Sequence, residues 1–320
     1  MCFALNAGQL QKSVARPLMI SGVMMVVRRQ EVAAEAVAAA VAGVLEGAKG
    51  SERDALAVFA RAFLKEMPPD DLCDEATDNL VGMVRDLFRF GYKRDDLTRP
   101  SIRVYNPDPE QEGWATSHSA ISIDNNVMPF LVDSVTAQLN RLGAEVFLVV
   151  HPILLAHRDA AGRLEKLAEA TEEGAEGTPE SHMLLLISEQ PASRREEIRQ
   201  ALEGVLSDVW AAVTDWRPMR QRCQSLLREL EQTPPDLPRE EIIEAIDFLE
   251  WLDNDHFTYL GYREYDFEGQ GAAAAARIDE ESGLGILRDP DVPVFEGLRS
   301  LGELPPDVQE WVRSPQLLRI

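Results

Sequence analysis

A length of 320 residues, 45% of them hydrophobic and 27% charged, supplies enough apolar side chains to bury a core and suggests two domains, or one with a long extension. The formal net charge of -23 repels phosphate backbones and anionic lipid, so nucleic acid and membrane are not expected partners. Cys2, Cys73 and Cys223 stand far apart with no CxxC pair, which argues against a disulfide framework, excludes a cysteine zinc site by spacing and fits a reducing cytoplasm.

Residues 1–29 read as a poorly defined N-terminal extension. Lys12 and Arg16 precede an apolar stretch at 17–27 with a superficial likeness to a signal peptide. Arg28 and Arg29 then stand where a small-residue cleavage site belongs. The stretch is also well short of the ~20 apolar residues that span a bilayer. An initiator at Met19, Met24 or Met25 is the simpler explanation. Residues 30–95 read as a helical unit. Its alanine-rich start (30–49) predicts a helix stopped near Gly47 or Gly50. Ser51 is the expected N-cap of a second helix through Lys65, with Leu56, Phe59, Ala60 and Phe63 on one stripe. After the break at Pro68 and Pro69, a third helix is expected from Asp71 to Phe90.

Residues 100–232 change character. Strands are expected at 101–106 (SIRVYN) and 117–124 (SHSAISID), the latter alternating polar and apolar. Pro129 opens a helix that Gly143 ends, with Leu131, Val135 and Leu139 on its stripe. A nearly continuous apolar strand, 144–157, is interrupted at Pro152, and an acidic, glycine-rich loop is expected at 165–179. A strand at 182–188 and helices at 193–215 and 218–231 follow, then a proline-rich turn, TPPDLP. Residues 239–320 comprise a helix to Asp253, β-prone stretches at 256–267 and 284–288 able to complete the same sheet, and an alanine run at 272–276 expected to be a loop. The closing apolar run, 314–320, has the pattern of a strand beginning, as expected of a chain cut off ahead of a further module.

This order predicts an α+β fold with a ferredoxin-like βαββαβ sheet, an N-terminal helical unit and additional C-terminal helices and strands. The passage DNNVMPFLVDSVTAQLNRLGAEVFLV runs from a strand end through a polar turn and a proline-opened helix to a Gly before the next strand. In this it resembles ACT domains, small regulatory modules that often bind free amino acids. The first amides of a helix lack intrahelical acceptors and attract a carboxylate, and an acidic or amide side chain at the strand end meets an ammonium. The candidate amino-acid-binding residues are thus Asp124, Asn125, Asn126, Met128 and Pro129. The competing expectation is that Asp124 and Asn126 simply cap the turn. Phe130 departs from the ACT pattern, in which Gly often follows the proline.

His118, His151, His157 and His182 lie on or beside expected strands without metal-ligand spacing. Gly283-Leu284-Gly285 lacks the third glycine of a dinucleotide fingerprint and reads as a turn. No catalytic, cofactor-binding or metal site is expected in this chain.

A closer resemblance lies in RVYNPDPEQEGW (103–114), MPFLVDSVT (128–136), VHPILLAHRDAAG (150–162), ESHM (180–183), DWRPM (215–219), FLEWLDNDHFTYLGYREY (248–265) and SGLGILR (282–288). In sequence and order these blocks resemble the N-terminal region of the large NAD-specific glutamate dehydrogenases. The resemblance implies a parent enzyme that oxidatively deaminates L-glutamate with NAD, ACT-like modules ahead of a distant catalytic domain, and homo-oligomers. It implies for this chain a non-catalytic regulatory or assembly role, with the parent's remaining domains as partners and an amino acid as effector. A stand-alone amino-acid-binding module and a purely structural oligomerisation module are the alternatives.

Overall fold

A computed structural model describes residues 32–172, 174–268 and 275–292. The expectations for residues 1–29, Cys2 and the run at 314–320 lie outside the described residues. The chain divides into two compact units, Met1–Val127 with Ala144–Arg199, and Met128–Gly143 with Gln200–Ile320. No described helix is long and apolar enough to cross a membrane.

In the first unit, helix α1 covers 32–44 and gives way to Gly47 at φ 80°, a left-handed position that favours glycine. Helix α2, Gly50–Glu66, begins directly after Lys49 and not after Ser51. The expected third helix is divided into α3, Pro69–Asp74, and α4, Thr77–Tyr92, by Glu75 and Ala76 in extended conformation. The new start at Thr77 places Asp78 in the first turn of α4, where the helix dipole favours negative charge. The stripe Leu56, Phe59, Ala60 and Phe63 is buried as the spacing predicts.

Strands β1 (Ser101–Tyr105), β2 (Ser119–Asn126), β3 (Val146–Val150), β4 (Ile153–Arg158), β5 (Leu164–Glu169) and β6 (Thr178–Ile187) form one six-stranded sheet ordered β1-β2-β6-β4-β5. All pairs are antiparallel. The long β6 pairs β4 through its first half and β3 through its second, since His151-Pro152 breaks the apolar run into two strands. Part of the expected loop at 165–179 is therefore strand β5. Its LEKLAE sequence buries Leu164, Leu167 and Ala168 while Glu165 and Lys166 face water. Phe59, Phe63, Leu80, Met83 and Leu87 share a core with Ala120, Leu148, Leu154, Leu167 and Leu184. Each such leucine or phenylalanine contributes about 1.5–3 kcal/mol by its burial. The apolar stripes of α2 and α4 are thus buried in one cluster with residues of the sheet.

The second unit contains α5 (Leu131–Arg141), the greater part of α6 (Ala192–Gln232), α7 (Arg239–Trp251) and a π-turn, Leu252–His256. The two helices expected within 193–231 are one, since α6 is continuous and Pro218 lies inside it. Strands β7 (Gly261–Tyr262) and β10 (Leu284–Gly285) pair with each other, as do β8 (Tyr265–Glu268) and β9 (Ala275–Ile278). Among the described residues these C-terminal strands form their own two-stranded sheets and do not complete the large one. The alanine run correspondingly ends in a strand, β9, with 272–274 outside the described residues. Polar clamps hold this unit: Asp215 accepts from Arg288 Nη2 at 2.7 Å and from the Gly285 amide at 2.8 Å. Arg220 Nε donates to Asp253 at 2.7 Å.

Candidate functional site

Strand β2 runs through Asp124, Asn125 and Asn126, which pair in register with His182, Ser181 and Glu180 of β6. The polar stretch expected to form a turn is therefore a strand end. Asp124 and His182 are buried, and His182 Nδ1 lies 2.6 Å from Asp124 Oδ1. A carboxylate only accepts, so the imidazole donates from Nδ1. Helix α4 approaches this pair at Gly91, where a Cβ would stand 2.8 Å from Asp124 Oδ2. Glycine is needed there for the approach and not for its backbone freedom. The Phe59 ring meets the imidazole edge-on, with centroids 5.5 Å apart. Beside the pair lies a cavity lined by Phe59, Phe63, Leu87, Phe90, Ser122, Asp124, His182 and Met183. About 10 Å³ of it is open to the centre of a water molecule.

Two register steps away, Glu180 accepts a two-pronged contact from Arg158, Nε at 2.8 Å and Nη2 at 2.7 Å. Arg94 Nη1 adds a third contact at 3.2 Å. Arg158 also caps α4, donating to the carbonyls of Gly91 at 2.8 Å and Tyr92 at 3.3 Å. Burial by itself would raise the Glu180 carboxyl, but the Arg158 hydrogen bonds and the two guanidinium charges outweigh it and hold the group below the usual carboxylate range. Burial pulls Arg94 below its usual range, against the attraction of Glu180. A third polar centre is Asp86 on α4. It accepts from Arg103 at 2.7 Å, the Tyr105 hydroxyl at 2.8 Å and Trp114 Nε1 at 3.1 Å. Burial raises the Tyr105 hydroxyl above its usual range.

The expected site residues are thereby distributed. Asp124 is engaged by His182. Asn126 accepts from Arg94 at 2.9 Å and donates to the Leu97 carbonyl at 3.0 Å. Asn125 Oδ1 accepts from the Asn126 amide at 2.9 Å, leaving its own Nδ2 buried without a partner. Met128 and Pro129 belong to the second unit, and α5 begins at Leu131, two residues beyond the proline. Phe130 is its N-cap at φ 67°, the left-handed region that glycine prefers, and no side chain caps the first amides. The other histidines are separately engaged. His118 lies 3.2 Å from Thr116 Oγ1, His151 lies 2.6 Å from Ser181 Oγ, and His157 contacts the Glu176 carbonyl. Among the described residues no three His, Cys, Asp or Glu side chains gather as a metal site. Sequence alone assigns no role to Gly91, Arg94, Arg158 or Glu180. Arg94 stands in the charged run KRDD, and Arg158 and Glu180 at the polar ends of apolar stretches, so nothing local marks them as buried.

Residues 59–202 match the family model for the ACT1 domain of glutamate dehydrogenase. The chain is similar to the NAD-specific glutamate dehydrogenase of Halomonas elongata, with 35% identity over 277 residues, 86% of this chain and 17% of that protein. The enzyme of the same name from Pseudomonas aeruginosa is 34% identical over 232 residues, 72% of this chain and 14% of that protein. The one from Mycobacterium tuberculosis is 29% identical over 167 residues, 49% of this chain and 10% of that protein. The chain thus spans 17% or less of the length of these relatives. Its matched segment contains the sheet with its buried Asp124–His182 and Glu180–Arg158 pairs, and the chain belongs to the NAD-specific glutamate dehydrogenase family, within which it carries the ACT1 domain.

Proposed function

We propose that this chain is the non-catalytic regulatory and assembly region of an NAD-dependent glutamate dehydrogenase, whose parent reaction converts L-glutamate, NAD and water to 2-oxoglutarate, ammonium and NADH. The observation that carries this reading is the ACT1 match over residues 59–202. We read β2, α5, β3 with β4, β6 and α6 as the first five elements of a ferredoxin-like unit. Strand β1 takes the place beside β2 that the last strand of that unit ordinarily occupies. NAD belongs to the parent enzyme and not to this chain.

Assembly is the favoured half of the role. Asp124 and Asn126 are committed to His182 and Arg94, and the cavity beside them is far too small for an amino acid. Strand β3 pairs only with β6 among the described residues and carries Phe147, 52% exposed. Such an open apolar edge is a template for pairing with a second copy. A homo-oligomer is the expected state, tested by light scattering on the purified chain. A monomer across the micromolar range would count against assembly.

The effector reading retains one support: the first amides of α5 have no side-chain cap, and such amides attract a carboxylate. A thermal scan of the chain against the free amino acids decides it. Ligand at one hundred times its dissociation constant would stabilise by about 2.7 kcal/mol, and an unmoved melting point leaves assembly alone.

A further inference from the structure

Helix α7 buries Ala245 and turns another face to water. On that face Glu240, Ile243, Glu244, Asp247, Phe248 and Trp251 recur at the i, i+3, i+4, i+7, i+8, i+11 spacing of a single helical stripe. All six are exposed, the three apolar side chains by 39% to 47%. The stripe holds three carboxylates and no base, and among the described residues no ion pair reaches them. The Phe248 and Trp251 rings are stacked with centroids 6.0 Å apart, and His256 extends the stack at 5.2 Å from Trp251. A helix face turned to water is ordinarily polar, so stacked rings framed by charges of one sign mark a contact surface.

The second half of α6, in the same unit, presents the complementary charge. Trp210, Arg217, Gln221 and Arg228 recur at spacings of seven, four and seven and share one exposed face. Thr214, Gln224 and Ser225 fill the intervals, so this stripe carries two guanidinium groups and no carboxylate. Arg228 donates to Ser225 Oγ at 3.0 Å, and among the described residues neither arginine is in an ion pair. Arginine both pairs with carboxylates and lies over aromatic faces. We propose that the α7 stripe of one copy docks on the α6 stripe of a second copy, with Glu240, Glu244 and Asp247 meeting Arg217 and Arg228, and Trp210, Phe248 and Trp251 buried between them. The net charge of -23 makes most faces of two copies repel, which favours contact where an acidic stripe meets a basic one. The contact rests on the assembly reading above and adds to it a surface distinct from the β3 edge.

Light scattering on the full chain tests this with two charge-reversed variants. One carries Glu244→Arg and Asp247→Arg, the other Arg217→Glu and Arg228→Glu. Each alone sets like charges against each other, so each should show a lower mass than the wild type at equal concentration. An equimolar mixture of the two restores opposite charges and should regain the wild-type mass. A third variant, Phe248→Ser with Trp251→Ser, keeps every charge and should dissociate at least about tenfold more readily on dilution. Should a reversed variant not fold, this dilution curve decides, and one unchanged from the wild type overturns the contact. Reversed variants that keep the wild-type mass, or a mixture that stays dissociated, overturn the contact and leave assembly to β3. A monomeric wild type overturns the contact and the assembly reading together, and leaves both stripes to other segments of the parent enzyme.

Discussion

Glu180 is the residue whose loss the first unit should feel most. Its carboxylate is the counter-charge of two guanidinium groups, and the three side chains are 4% exposed or less. Glu180→Gln leaves both cations buried and should cost about 3–5 kcal/mol, read as a shift in denaturant midpoint at unchanged slope. A loss below ~1 kcal/mol would mean that the arginines find water. Asp124→Ala should cost about 1–3 kcal/mol with no ligand present, because His182 Nδ1 loses its acceptor inside the core. The pH dependence follows from two groups held low in the fold. His151, lowered by burial, resists protonation while the unfolded chain accepts it, so stability present above the ordinary histidine pKa of about 6.5 is lost as pH falls. Glu180 contributes stability present above the ordinary carboxyl range and lost as pH falls through its depressed folded value. The melting point should therefore decline in two stages on acidification, and His151→Phe should remove the first. A single-stage decline in both proteins would contradict the assignment.

Helices and strands are legible in the sequence where one face carries the signal, as in α2 and α5, whose apolar stripes give their positions within a few residues. Strand β5 is hidden because glutamate and lysine on its exposed face resemble a loop when its partner, β4, is not in view. The end of β2 is obscured for a related reason. Asp-Asn-Asn is turn chemistry locally, and only the register with Glu180, Ser181 and His182 makes it a strand. The same is true of the candidate site, since Asp124 and His182 are 58 residues apart in sequence. The blocks that carry the family resemblance prove to hold the polar clamps: Arg103, Tyr105 and Trp114 around Asp86, Arg158 with Glu180, and Asp215 with Arg288. Pro218 has the local character of a helix boundary and lies inside α6. It removes one backbone donor, so Pro218→Ala should raise the unfolding free energy by up to about 3 kcal/mol. A loss of stability on that change would show that a proline-induced bend is required. Phe130→Gly should likewise stabilise, by about 1 kcal/mol, by relieving a left-handed backbone. Calorimetry of both variants checks these two expectations.

At the scale of the molecule, two units of distinct construction share one chain, and the ACT1 match lies largely in the first. The chain spans 17% or less of the relatives named NAD-specific glutamate dehydrogenase. The buried polar centres of the first unit tie helix α4 to strands, through Arg103 to Asp86 and through Arg158 to the Gly91 carbonyl. The measurement that bears most directly on a non-catalytic role is NADH formation by the purified 320-residue chain supplied with L-glutamate and NAD. No NADH above a protein-free control is the predicted result, and sustained turnover in proportion to chain concentration would contradict it.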